Sequence, residues 1–235
     1  MPINEDTMSD FSATKAMFDL PEGVIYLDGN SLGPLPKTAA SHVENMIRKE
    51  WGEMLITGWN KAGWMQKPTA IGDRIGRLIG AEPGHVVMGD TLSIKVYQAV
   101  ASALELNPSR KVVLSDSGNF PSDLYIVQGL LKSLGPDYEL RVVDPEAVAE
   151  NITEDLAVLM LTEVDYRSGR MHDMKALTAL AHEKGVVTVW DLAHSAGAVP
   201  VDLAGCNADF AVGCSYKYLN SGPGAVAGCF VHERH

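Results

Sequence analysis

An α/β fold, with a mainly parallel sheet and helices on both faces, is predicted by two features of the chain after about Arg110. Short, almost wholly apolar runs alternate there with segments whose apolar residues recur at three and four spacing. Gly, Pro, Asn and Asp clusters punctuate the joints between them. Near-continuous apolar runs are what strands buried on both faces require, because neither face of such a sheet meets water.

Taken in order, the strand candidates are Lys111 to Leu114, Leu140 to Val143, Leu156 to Thr162, Val186 to Trp190, Phe210 to Cys214 and Ala225 to Val231. Helical spacing predicts helices over Ser122 to Leu134 and Met174 to Glu183, with an earlier one over Ile94 to Leu106. Before Arg110 the pattern is mostly helical, entered through a Gly- and Pro-rich stretch at Gly29 to Pro36, with tryptophans at Trp59 and Trp64. These shifts divide the chain into an N-terminal arm with helices, residues 1–60, and a large domain, residues 61–235. In open sheets of this kind a ligand sits outside the carboxyl ends of the strands. Thr162, Asp191, Lys217 and the loop Ser115 to Asp123 all follow strand candidates on that side.

At 235 residues and 46% hydrophobic, the chain is long enough to bury a large core. Its net charge of −11 argues against nucleic acid or an anionic membrane as the main partner, since both demand a basic face. No apolar run approaches a membrane span, and the acidic opening MPINEDTMSD lacks the basic and apolar regions of a signal peptide. The expectation is a cytoplasmic protein. Cys206, Cys214 and Cys229 are odd in number and too widely spaced for a zinc knuckle, so no metal site is expected and the thiols read as packing residues.

Lys217 stands inside GCSYKYLNSGPG, just past the apolar run ADFAVGCSY, and Asp191 ends another apolar run twenty-six residues earlier (217 minus 191). A lone lysine is more often a solvated charge, and a lone aspartate after a strand a helix cap. Together, at the ends of two buried strands, they match the needs of pyridoxal phosphate: an amine for its Schiff base and a carboxylate against its ring nitrogen. Gly89 to Ser93 opens a helix and offers its N-terminus to a phosphate, although a simple capping box explains it equally. Phe120, Pro121, Ser122 and Asp123 place a ring and a carboxylate past a strand end, where Phe120 either stacks on the cofactor or packs in the core. His194, three residues after Asp191, either approaches the ring or caps the next helix.

The motifs GCSYKYLNSGPG, WDLAHSAGAVPVDL, NFPSD and YLDGNSLGPLPK together resemble the kynureninase family, fold-type-I pyridoxal phosphate enzymes of tryptophan catabolism and NAD biosynthesis. The resemblance runs from about Tyr26 onward. It implies hydrolysis of L-kynurenine, or 3-hydroxykynurenine, to anthranilate, or 3-hydroxyanthranilate, and L-alanine, in a homodimer. By resemblance Lys217 is the Schiff-base lysine and proton carrier, Asp191 the partner of the ring nitrogen, and Tyr216 a phosphate contact and proton relay. Leu92, Ser93, Phe120, Pro121, Ser122, Asp123, Thr162 and His194 complete the implied cofactor cradle. Ser93 stands where many relatives carry threonine. The family continues well past its lysine into a small C-terminal domain with a substrate-clamping arginine. This sequence runs eighteen residues past Lys217 (235 minus 217), so an incomplete large domain with little activity of its own is expected.

Overall fold

The computed structural model describes residues 10–235; the acidic opening, apart from Asp10, lies outside them. The first described elements are short: helix α1 (Ser12–Lys15), then β1 (Phe18–Asp19) paired antiparallel with β2 (Leu35–Pro36). Helix α2 (Ala39–Asn45) widens into a π-helical turn over Met46–Trp51, and the short α3 (Gly58–Lys61) and longer α4 (Lys67–Gly76) follow. Trp59 and Trp64 meet edge to face at 5.8 Å, and the Trp64 indole N–H donates to Glu50.

The remaining strands form one seven-stranded sheet: β3 (Val86–Met88), β4 (Val112–Asp116), β5 (Glu139–Val143), β6 (Leu156–Thr162), β7 (Val187–Asp191), β8 (Phe210–Cys214) and β9 (Ala227–Val231), in the order β3-β9-β8-β7-β6-β4-β5. The pairs among β4 to β8 are parallel, and β9 runs antiparallel to both of its neighbours. Helices α5 (Leu92–Leu106), α6 (Pro121–Leu134) and α7 (Met174–Glu183) supply the covering layers. The predicted fold class therefore holds.

Alternation along β6 shows how two layers are served by one strand. Leu159 and Leu161 enter one apolar core with Leu177 and Ala181 of α7 and with Trp190, whereas Val158 and Met160 enter a second core with Val96, Val100 and Ala103 of α5. Successive side chains of a strand point to opposite faces, so a sheet covered on both sides needs an apolar residue at every position. Each such buried side chain contributes on the order of 1.5–3 kcal/mol.

One strand escapes sequence reading. β3 is three residues long and framed by Pro83, Gly84 and Gly89, too short to display a period. It nonetheless directs the site: antiparallel to β9, which is antiparallel to β8, it runs in the same sense as the parallel strands. The helix that follows it, α5, thus begins at the same sheet edge where β4, β6, β7 and β8 end. No helix among the described residues is long and apolar enough to cross a membrane.

Candidate active site

That shared edge holds a cavity of about 150 Å³, lined by Thr91, Leu92 and Ser93 at the start of α5, Phe120 and Ser122 at the start of α6, Asp191, Ala193 and His194 after β7, and Tyr216 and Lys217 after β8. Residues far apart in sequence meet here because parallel strands deliver all their carboxyl ends to one side.

At one wall stands the amine. Lys217 is 7% exposed, and its Nζ lies 2.6 Å from Nε2 of His194. Burial, then the Lys217 charge, pulls the His194 imidazole down to about 4, so the ring is neutral and accepts a hydrogen bond from the ammonium. The amine also lies 5.4 Å from the Phe120 ring and 5.8 Å from the Tyr216 ring. Burial pushes the Tyr216 phenol up to about 12, which keeps it a proton-bearing donor at neutral pH.

Asp191 closes the floor of the cavity. Its carboxylate accepts the Ala193 N–H at 2.9 Å and the Thr162 hydroxyl at 3.3 Å. Burial raises it, while the Ala193 amide and the Lys217 charge oppose that rise. Asp123 stands behind it, and burial followed by the Asp191 charge pushes the Asp123 carboxyl well above the usual carboxylate range. Two acidic groups this close in a buried site oppose each other's ionisation, and burial raises both, Asp123 the more strongly. Asp123 Oδ2 and His194 Nδ1 are buried without a hydrogen-bond partner.

At the opposite end, Thr91 caps α5 in extended backbone, its hydroxyl accepting the Ile94 N–H at a long 3.5 Å. The first N–H groups of a helix have no intrahelical acceptor, and Thr91, Leu92 and Ser93 at this helix start line the cavity. An elongated, anionic, nitrogen-bearing aromatic ligand fits this donor set. The carboxylate would suit a ring nitrogen, the amine a carbonyl carbon, and the helix end a phosphate.

Nearly all the residues singled out from sequence gather at this edge. Pro121 is exposed and does not itself line the cavity; it is the first residue of α6, where its fixed φ suits a helix start. Thr162 and Asp123 act through Asp191 rather than lining the cavity. Three residues were missed as site contributors. Tyr166, on the loop after β6, packs on Phe120 at 4.9 Å and on His194 at 6.0 Å. Gly33, two residues before β2, donates its N–H to the Tyr216 carbonyl at 2.8 Å, and Gly29 lies against the Tyr218 ring. The position of Tyr166 after a buried strand on the ligand side was the one available signal.

The family model described as Aminotransferase class-V matches residues 25–228. A kynureninase of Pseudomonas fluorescens is 50% identical over 227 residues, 94% of this chain and 55% of that protein. A kynureninase of Deinococcus radiodurans is 48% identical over 235 residues, 98% of this chain and 57% of that protein. The chain thus spans about half the length of the curated relatives it matches. Among solved structures, the cysteine desulfurase CsdA from Escherichia coli superposes with a TM-score of 0.76 at 16% identity, covering 97% of this chain and 59% of that one. An apo cysteine desulfurase from Thermococcus onnurineus NA1 gives 0.74 at 19% identity, covering 97% and 58%. At those identities the likeness speaks to fold alone.

Proposed function

Because the chain belongs to the class-V aminotransferase family, we propose that it forms most of the cofactor-binding domain of a pyridoxal phosphate enzyme that hydrolyses L-kynurenine to anthranilate and L-alanine, with 3-hydroxykynurenine as a related substrate. The observation that carries this reading is the convergence of the Lys217 amine, the Asp191 carboxylate and the α5 N-terminus on one cavity. Support for the substrate comes from kynureninases 48–50% identical over nearly the whole chain.

When bound, pyridoxal phosphate supplies an electron-accepting ring that stabilises negative charge at the substrate α carbon. Asp191 would hold the ring nitrogen protonated, with Thr162 and the Ala193 amide fixing its carboxylate. Phe120 would cover one ring face and His194 approach the other side of the amine. Ser93 and the first turn of α5, with Leu92, Ser122 and the Tyr216 hydroxyl, would bind the anionic end. Lys217 would hold the cofactor and then, as a free amine, carry the proton at the substrate α carbon. Tyr216, a phenol that keeps its proton, is placed to deliver one to the β carbon after the bond to the aryl ketone is cleaved.

We further propose a division into an arm, residues 1–60, and a large domain, residues 61–235, and a homodimeric assembly. Trp51, Leu55, Ile56 and Trp59 of the arm region are 61%, 63%, 77% and 45% exposed, a large apolar surface for a monomer to leave in water. The function is tested by product analysis of the full-length protein. Anthranilate formed from L-kynurenine supports it, and sulfur release from L-cysteine with no anthranilate would contradict it.

A further inference from the structure

Beneath the aromatic wall of the cavity lies a buried charged cluster that the reaction itself does not use. Asp116, the last residue of β4, is wholly buried, and its Oδ2 lies 2.6 Å from Nε2 of His172, which is nearly as buried. A carboxylate has no proton to donate, so the imidazole N–H is the donor. Arg170 closes the group: Nη1 is 3.1 Å from both ring nitrogens of His172, and Nη2 is 3.6 Å from Asp116. The cluster joins the end of β4, where the next loop starts, to the loop that follows β6.

Each loop is also shaped by its own carboxylate. Asp116 Oδ1 accepts the Gly118 N–H at 2.7 Å, turning the chain toward Asn119, whose side chain receives the Phe120 N–H at 2.7 Å and donates to Ser115 at 3.1 Å. Asp165 Oδ1 accepts the N–H groups of Arg167 and Ser168, and its own N–H donates to the Arg170 carbonyl. The loops touch with no slack. A Cβ placed on Gly118 would stand 2.7 Å from Asp165 and 3.0 Å from Asp116. Phe120, next to Asn119 of the first loop, packs edge to face on Tyr166 of the second, with the Lys217 amine 5.4 Å from its ring.

We propose that Asp116, His172 and Arg170 form a clamp that sets the pose of Phe120, and so the angle at which the cofactor ring lies over Lys217; this rests on the proposed cofactor site. A buried ion cluster is weak evidence for stability, because apolar residues of the same volume often do as well. Its value here is directional. The charge-assisted hydrogen bond from His172 to Asp116 fixes a relative angle where apolar contact would let the segments slide, and the Arg170 guanidinium adds its charge at 3.6 Å without hydrogen-bonding to Asp116. The three are positioning residues, acting on the ring through Phe120.

The test is a double-mutant cycle for cofactor affinity on the full-length protein, with apo protein titrated by pyridoxal phosphate and the induced circular dichroism of its absorption band recorded. Phe120→Leu and His172→Gln are each expected to weaken binding roughly tenfold, and the double variant no further than either alone, because both act on one contact. His172→Gln is also expected to diminish the induced band. Where His172→Gln fails to fold, Arg170→Gln, at a partly exposed position, takes its place under the same criteria. Additive losses, or an unchanged affinity and induced band in the clamp variant, would overturn the clamp alone. Failure of the unaltered protein to bind the cofactor would overturn the functional reading as well as the clamp.

Discussion

The Nζ of Lys217 and the Nε2 of His194 lie 2.6 Å apart although the residues come from the loops after two different strands. A short contact between an ammonium and an imidazole requires the imidazole to be neutral, and burial holds it so, with a pKa near 4 against an ordinary 6.5. A histidine whose folded pKa is depressed binds fewer protons than the unfolded chain between those two values. Stability is therefore lost as pH falls from about 6.5 toward 4. His194→Gln should flatten the stability slope in that window, read from denaturant midpoints at successive pH values. An unchanged slope would mean that another group carries it.

Asp191→Asn keeps the shape of the cavity floor but removes the charge that faces the ring nitrogen. Cofactor binding should persist, while removal of the substrate α proton slows by roughly 10²–10⁴-fold, the range over which positioned acid–base groups act. Exchange of the α proton with deuterated solvent is the measurement, and a wild-type exchange rate would remove Asp191 from its role.

Glu163 is buried beside the site, its Oε2 has no hydrogen-bond partner, and burial raises its carboxyl above the usual range. An acid raised in the folded state costs stability as pH climbs from the unfolded value through the folded one. Glu163→Gln should therefore stabilise the protein at pH 8 by about 1 kcal/mol and have little effect at pH 4. Equal denaturation midpoints at pH 8 would show that the carboxylate is compensated.

Gly33 carries the arm onto the lysine loop. Any Cβ there would overlap the Lys217 carbonyl and the Asn220 side chain, both parts of a packed turn. Gly33→Ala should push the arm away, break the hydrogen bond to the Tyr216 carbonyl, and weaken cofactor binding by roughly tenfold while costing 1–3 kcal/mol of stability. Retention of full affinity would show that the arm and the lysine loop move independently.

How much of this was legible in sequence depends on how long each signal runs. β6 and α7 were bounded to the residue, because six consecutive apolar residues closed by Thr162, and a ten-residue run with its apolar residues at helical spacing, leave little choice. β3 was missed, since three residues carry no period and its partner β9 lies far along the chain. Lys217, Asp191 and His194 were legible because an ionisable residue at the end of an apolar run is costly unless used. Tyr166 and Gly33 were not, because each owes its place to contacts across the sheet edge rather than to its own neighbours. Pro121 adjoins Phe120 in sequence, but the turn into α6 leaves it exposed.

The account turns on one covalent attachment, and the described residues offer a rival for it. Lys95, in the first turn of α5, is as buried as Lys217, but its amine is held by Asp90 at 3.4 Å and Gln98 at 3.1 Å and does not line the cavity. Borohydride reduction of the full-length protein loaded with pyridoxal phosphate, followed by digestion and peptide mass mapping, assigns the attachment directly. A pyridoxyl group on the Lys217 peptide, lost in Lys217→Ala together with anthranilate formation, is the result predicted. Label on Lys95 or another lysine, or turnover persisting in Lys217→Ala, would contradict the account.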